Sequence, residues 1–189
     1  MSEKYFLSGT LEETNDAYAV AKIAGIKMCQ AYKKQYDFDA VSIVPTNMYG
    51  LNDKYTGDNA HVVPALLKRI HEAKISKASE VVIWGTGTPM REFLYSEDCA
   101  DAILFSAENY QDDTPLNIGT GADVHIYELV SILSEVVGYK GAIVWDKTKP
   151  DGVMRKLLDC TLINNLGWSH KVDLRDGLER MYEDFLKNI

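Results

Sequence analysis

The sequence predicts an α/β fold, and three observations predict it. Stretches with the helical spacing of apolar residues alternate with short runs rich in β-branched and aromatic residues. Turn chemistry, glycine above all, falls where one kind of stretch gives way to the other. A long helical stretch ending near Tyr36 feeds directly into a strand-like run, which is half of a βαβ unit whose first strand is absent.

Composition sets the bounds. With 189 residues, 46% of them hydrophobic, the chain can bury a core and suits one domain or a domain and a half. A net charge of −8 argues against a nucleic-acid or anionic-membrane surface, so any phosphate it binds belongs to a small ligand. Cys29, Cys99 and Cys160 have no metal spacing and read as buried thiols of a cytoplasmic protein. No apolar run approaches the ~20 residues that span a bilayer, and the N-terminus has no basic-then-apolar signal. His71, His125 and His170 have no ligand spacing to one another or to cysteine, so no metal site is expected.

In chain order, residues 1–14 are polar and irregular and lead into a helix that Asn15 or Asp16 can cap and that runs to about residue 36. Residues 39–44, closed by Pro45, read as a buried strand. Residues 46–60, with Asn47, Gly50, Asn52, Asp53, Gly57 and Asn59, have turn chemistry without periodicity and read as a long loop beside a strand end, where ligands sit. Residues 61–76 form a helix, with Val62, Val63, Leu66, Leu67 and Ile70 apolar and Pro64 in the first turn. Strands are expected over 81–84 and 91–95, joined by a tight turn, and then a helix over 96–109 with an acidic first turn. A strand over 116–119 ends in Gly119-Thr120-Gly121. A helix over 125–137 is stopped by Gly138, and a strand follows over 142–145. Residues 149–152 are a turn, 155–159 an extended segment, and helices over 161–166 and 173–188 close the chain. Tyr32, Tyr36, Tyr127, Tyr139 and Tyr182 fall on helix faces and caps as packing residues.

Tyr18 and Lys22 carry the first chemical signal. Four residues apart on a helix, they share one face, one turn apart. An ammonium beside a phenol lowers the phenol's pKa from ~10, which suits a proton donor to a carbonyl oxygen. The same spacing also occurs on many solvated helix faces. No glycine fingerprint for a cofactor pyrophosphate precedes the pair, and Gly85-Thr86-Gly87 and Gly119-Thr120-Gly121 read as turn glycines because neither opens a helix at the required spacing. The stretch therefore lacks the means to hold a dinucleotide by itself.

Tyr18-x-x-x-Lys22, Pro45-Thr46-Asn47, His61-Val62-Val63-Pro64, the run Trp84-Gly85-Thr86-Gly87-Thr88-Pro89-Met90-Arg91-Glu92-Phe93, and Lys149-Pro150-Asp151-Gly152 together resemble the extended short-chain dehydrogenase/reductases that act on nucleotide sugars. The likeness runs from about Gly9 onward and matches only the C-terminal part of such an enzyme. It implies the C-terminal part of a Rossmann-type fold with a nucleotide-sugar-binding subdomain. Residues 1–60 would be the remnant of the dinucleotide-binding domain. Residues 61–189 would be mainly the sugar-nucleotide subdomain, with some segments returning to the Rossmann sheet.

The resemblance also implies an activity and its residues. The reaction would be NADPH-dependent 3,5-epimerisation and 4-reduction of GDP-4-keto-6-deoxy-D-mannose to GDP-L-fucose by a homodimer. The alternatives are another sugar-nucleotide reductase, 4-epimerase or dehydratase of the superfamily, or a non-catalytic GDP-sugar-binding module. Tyr18 would donate a proton to the C4 oxygen, Lys22 would lower its pKa and hold the cofactor ribose, and His61 would be the acid of epimerisation beside the NADP(H). Pro45, Thr46, Asn47 and Met48 would line the nicotinamide pocket with reachable backbone amides. Arg69, Trp84, Arg91 and Asp159 would hold the GDP part. Taken singly, each has a plainer reading: a solvated helix face for Arg69, a solvent-facing helix start for His61, an ordinary strand-to-loop turn for residues 45–48.

Overall fold

The computed structural model describes residues 1–56 and 60–188. Gly57 and Asn59, expected in the long loop, lie outside the described residues. Two short 3-10 turns, Glu3–Tyr5 and Glu13–Asn15, lead into helix α1, Asp16–Tyr36. The helix stops where Asp37 takes the left-handed conformation, φ 54°, and donates its amide to the Lys33 carbonyl, a backbone state that a short polar side chain tolerates.

The strand expected over 39–44 is shorter and later. β1, Ile43–Pro45, is only part-buried and pairs in parallel with β6, Leu116–Ile118. The expected loop over 46–60 opens with a second strand, β2, Asn47–Tyr49, parallel to β5, Phe93–Tyr95. Its 3 residues are too few to show a period of two, and turn-forming Asn47 and Gly50 disguise it. Burial of Tyr49 is what holds it. The expected strand over 91–95 is two strands: β4, Met90–Arg91, joins β7, Val124–His125, and β9, Arg155–Lys156, whereas β5 joins β2. Glu92 is the break between them.

The remaining elements fall where the periodicity puts them. They are α2, Val62–Ile75; β3, Glu80–Trp84; α3, Ser96–Asn109; α4, Ile126–Val137; β8, Ala142–Asp146; α5, Thr161–Leu166; and α6, Leu174–Lys187. β3 and β8 pair in parallel over Glu80–Trp84 and Ala142–Asp146.

Two apolar cores result. In the first, α2, α4 and α6 bring Leu67, Ile70, Leu129, Leu133, Leu178 and Met181 against Val81 and Ile83 of β3. The second packs Cys99 and Ala102 of α3 and Ile163 of α5 on Leu116 and Ile118 of β6. Adjacent residues of β5 serve both, since Phe93 and Tyr95 enter the first core and Leu94 the second. Side chains alternate across a strand, so a single extended run can bind two layers together.

Helix α1 stands apart, with no buried residue along its length. Its contacts to the body include Gln30 Nε2 donating to the Asp113 carbonyl and Lys33 Nζ to that of Gln111. Val20, Met28, Tyr32 and Tyr36 are exposed, so the expected packing role of the two tyrosines is corrected. Tyr32 meets Tyr36 at a tilt and Phe38 edge-on, with ring centroids 5.3 and 6.2 Å away. Tyr127 is likewise exposed and stacks on His125, whereas Tyr139 and Tyr182 are buried. Cys99 and Cys160 are buried as expected, but Cys29 on α1 is only part-buried. Among the described residues no helix is long and apolar enough to cross a membrane.

His71 lies in the first core with 8% of its surface exposed, its Nδ1 3.0 Å from the Tyr182 hydroxyl and its ring against Phe185. Burial, aided by Lys74, lowers its pKa below the ordinary imidazole value of about 6.5. Below that value the unfolded chain takes up a proton that the folded chain refuses, so stability falls as pH drops from about 6.5 towards the lowered pKa. Urea midpoints measured from about pH 7 to 5 should fall, and His71→Gln, which keeps a partner for Tyr182, should flatten that part of the slope. An unchanged slope in the variant would assign the acid sensitivity to other groups.

Candidate active site

The first turn of α1, the β1–β2 corner and the start of α2 surround a cleft of about 970 Å³. Tyr18, Pro45, Thr46, Asn47, Met48 and His61 all line it, so the structure brings together three places that lie apart in the sequence, at 18, 45–48 and 61. Lys22 stands one helical turn behind Tyr18, its Nζ 5.3 Å from the phenol ring centroid. Two tyrosines line the cleft, and they differ. Tyr49 is buried, donates to the Leu174 carbonyl, and has its pKa raised chiefly by burial. Tyr18 is 67% exposed and carries the cation beside it. Of the two, Tyr18 is the exposed one.

The corner at residues 45–48 is rigid because its polar groups are already bonded. The Thr46 amide donates to the Ile118 carbonyl at 2.9 Å, while Asn47 Nδ2 and Thr46 Oγ1 both reach the Glu92 carbonyl, at 2.9 and 3.3 Å. The expectation that backbone amides here are open to a ligand therefore fails for Thr46, and Pro45 has none to offer. His61 caps α2 in extended geometry, φ −68° and ψ 164°, and its carbonyl accepts from the Ala65 amide. Its ring is thereby carried to the cleft mouth by the helix start.

A second group gathers at the C-terminal end of β3. Trp84 is 61% exposed, and Arg69 of α2 lies with its guanidinium carbon 5.4 Å from the indole centroid while Nη1 donates to the Val82 carbonyl. Arg91 is half-buried in β4, and Nη1 donates to the Met90 carbonyl. Among the described residues no carboxylate forms an ion pair with Arg69 or Arg91. Asp159 is elsewhere. It lines a separate cavity with Met1, Gly121 and Thr161, and Oδ1 accepts from the Thr161 amide. The hydroxyl and amide of Thr161 hold its carboxyl below the usual range. The structure does not bring it to Arg69, Trp84 and Arg91.

A family model described as the NAD dependent epimerase/dehydratase family matches residues 2–119, more than half of the chain. The chain belongs to that family. A putative GDP-L-fucose synthase 2 of Arabidopsis thaliana is 52% identical over 187 residues, which cover 99% of this chain and 57% of that protein. The GDP-L-fucose synthase of Escherichia coli K12 is 49% identical over 197 residues, covering 100% of this chain and 61% of that protein. Of solved structures, a GDP-mannoheptose C4 reductase of Campylobacter jejuni with NADP bound is 32% identical with a TM-score of 0.85, covering 98% of this chain and 64% of that one. The chain thus spans under two thirds of the length of each of these relatives.

For an epimerase/dehydratase chain, the glycine turns settle one point. Gly121 donates its amide to Glu92 Oε1 at 2.7 Å, and Thr86 donates its own to Asp151 Oδ1 at 2.7 Å. These amides face carboxylates of the chain itself and cannot cradle a pyrophosphate, in keeping with the sequence reading of turn glycines. No group of His, Cys, Asp and Glu among the described residues could hold a metal ion.

Three residues of the site escape sequence reasoning. Lys156 lines the cleft, pairs with Glu12 at 3.6 Å and lies in register beside Arg91. Lys149 Nζ lies 5.4 Å from the Trp84 ring centroid. Glu92 is fully buried, and its carboxylate accepts from the amides of Gly121 and Leu158, at 2.7 and 2.9 Å. A side chain at Gly119 would put its Cβ 2.2 Å from Glu92 Oε1, so the glycine there is what admits the carboxylate. The available signal is a carboxylate set directly before the apolar run Phe93-Leu94-Tyr95.

Glu92→Ala should destabilise the fold by about 3 kcal/mol, because two buried amides lose their acceptor at once. Glu92→Gln, which keeps one acceptor oxygen, should cost less. Urea denaturation measures both, and a near-zero effect of the alanine variant would contradict the role given to the carboxylate.

Proposed function

We propose that this chain supplies the proton-donating wall and the nucleotide-holding part of an NADPH-dependent enzyme that epimerises C3 and C5 and reduces C4 of GDP-4-keto-6-deoxy-D-mannose, giving GDP-L-fucose. The observation that carries the reading is that Tyr18 and His61 line one cleft. A C4 ketone makes the protons at C3 and C5 acidic, because the charge left behind delocalises onto the C4 oxygen. Inversion then needs a base that takes the proton on one face and an acid that returns one to the opposite face. His61 suits the acid's part, since an imidazole can both hold and give up a proton to a bound sugar. Reduction needs a proton at the C4 oxygen as hydride reaches C4, and Tyr18 with Lys22 behind it supplies that proton.

The residues fit the nicotinamide end of a cofactor. Pro45 and Met48 flank the corner at the C-terminal end of β1, where ligands of parallel α/β sheets sit. NADPH, when bound, provides the hydride; the name of the family supports a nicotinamide cofactor, and the NADP in the C. jejuni relative supports the phosphorylated form. Arg69, Trp84 and Arg91 hold the GDP end. Asp159 takes part only through the segment it shares with Lys156. In this reading residues 1–60 belong with the cofactor-binding domain, and residues 61–189 are mainly the sugar-nucleotide subdomain, with α3, β6 and α5 returning to the sheet. The exposed apolar side chains of α1 suit a homodimer, and the free thiols suit the cytoplasm. Likeness to the C4 reductase favours one second reading, reduction at C4 of another GDP-linked 4-keto sugar without epimerisation.

In the complete enzyme, His61→Gln should slow solvent-deuterium exchange at C3 and C5 by about 10²-fold, while Tyr18→Phe leaves exchange and abolishes reduction. Mass spectrometry of the sugar after incubation in D₂O separates the two steps. Normal exchange in the His61 variant would remove that residue and favour the reductase-only reading.

A further inference from the structure

Residues 50–56 belong to no helix or strand, and 50–53 of them line the cleft. They are nonetheless held at three points. At the start, Gly50 lies so close to the first residue of α3 that a Cβ on it would come 2.1 Å from Ser96 Oγ. In the middle, the Asn52 amide donates to Asp184 Oδ2 of α6 at 3.0 Å. At the end, the Tyr55 ring lies against Phe185 of α6, with centroids 4.7 Å apart, and its hydroxyl donates to the Met181 carbonyl at 3.4 Å. Burial pushes the Tyr55 phenol up to about 12, so it keeps the proton it donates.

The middle point is the one that fixes the backbone of the cleft wall. Asn52 has a left-handed conformation, φ 58°. An asparagine tolerates that state without preferring it, so a segment without ladder bonds keeps it where its surroundings hold it. Asp184 does this with a carboxylate, which bonds an amide more strongly than a neutral oxygen does. Its other oxygen accepts from Asn188 Nδ2 at 3.2 Å, and among the described residues it forms no ion pair. Asp184 does not itself line the cleft, but the residue it bonds does. The same stretch of α6 also meets α2, the helix that His61 caps: His71 Nδ1 lies 3.0 Å from the Tyr182 hydroxyl, and the His71 ring centroid 5.0 Å from that of Phe185. Residues 181–185 of α6 thus hold the wall on one side and the His61-bearing helix on the other.

We propose that Asp184 is a positioning residue of the reaction: through the Asn52 amide it fixes the cleft wall at residues 50–53 relative to His61, and so sets where the sugar lies against that acid. The inference rests on the reading of the cleft as the place where His61 serves epimerisation. Proton return to a ring carbon depends steeply on the distance between donor and carbon, and a wall that drifts lets the ring drift with it. A single bond from a helix outside the cleft removes that freedom without placing another charge beside the sugar.

The test uses the full-length native protein. Mass spectrometry reads amide hydrogen exchange over residues 50–56 and solvent-deuterium exchange at C3 and C5 of the 4-keto sugar, and calorimetry reads binding of GDP and of NADPH. Asp184→Ala should make the amides of residues 50–56 exchange about tenfold faster. It should slow exchange at C3 and C5 about tenfold and leave both affinities and the thermal midpoint nearly unchanged. Asp184→Asn, which keeps an acceptor for the Asn52 amide, should return both exchange rates close to their original values. Added to His61→Gln, Asp184→Ala should slow the sugar's exchange further by little, since the two residues act on one step. Unchanged exchange at C3 and C5 in a folded Asp184→Ala variant, where His61→Gln does slow it, would overturn this proposal and leave the reading of the cleft intact. Loss of both affinities together with the thermal midpoint would also overturn it, since Asp184 would then be supporting the fold. If His61→Gln exchanges normally, the reading of the cleft itself fails, and this inference with it.

Discussion

A buried carboxylate governs the geometry of this chain. Glu92 has no exposed surface and lies between β4, which carries Arg91, and β5, which feeds both apolar cores. Burying an anion is costly unless its oxygens are satisfied. Here the Gly119–Gly121 turn and the Leu158 amide satisfy them, and the residue's own carbonyl holds the Thr46–Asn47 corner. The cleft wall, the glycine turn and the segment leading to Asp159 are therefore referred to a single point. Neither the cleft nor β4 with its Arg91 can shift without disturbing these buried bonds.

The site that follows is divided in space as its chemistry requires. Tyr18 from α1 and His61 from the start of α2, the proton donors of the proposed reaction, line the cleft from separate elements. Cations gather at the far end of β3, around Trp84. Lys156, in register with Arg91 and also on the cleft wall, is the residue that links the two.

Much of this was legible in the sequence, and the failures have identifiable causes. Helices α2, α3, α4 and α6 announced themselves because a 3.6-residue apolar period over 12 or 14 residues is a strong signal. β2 was hidden because 3 residues cannot show a period and Asn47 looks like a turn residue. The split at Glu92 was hidden because Met90 to Tyr95 reads as one extended run, and a break in pairing leaves no mark on local pattern. Tyr32 and Tyr36 were given packing roles because an apolar helix face says that something should cover it, not whether this chain contains the cover. Tyr18, Lys22 and His61 become visible as a set only through family resemblance; Lys149 enters only as part of a motif, without a role, and Lys156 stays invisible because a surface lysine carries no sequence mark of what it faces.

The most direct measurement is the structure of the product. The full-length native protein, given GDP-4-keto-6-deoxy-D-mannose and NADPH, should consume one equivalent of NADPH and yield GDP-L-fucose, with proton NMR coupling constants showing inversion at both C3 and C5. A reduced sugar that keeps the original configuration at C3 and C5, formed at a comparable rate, would contradict the assignment of His61 and of the cleft to epimerisation.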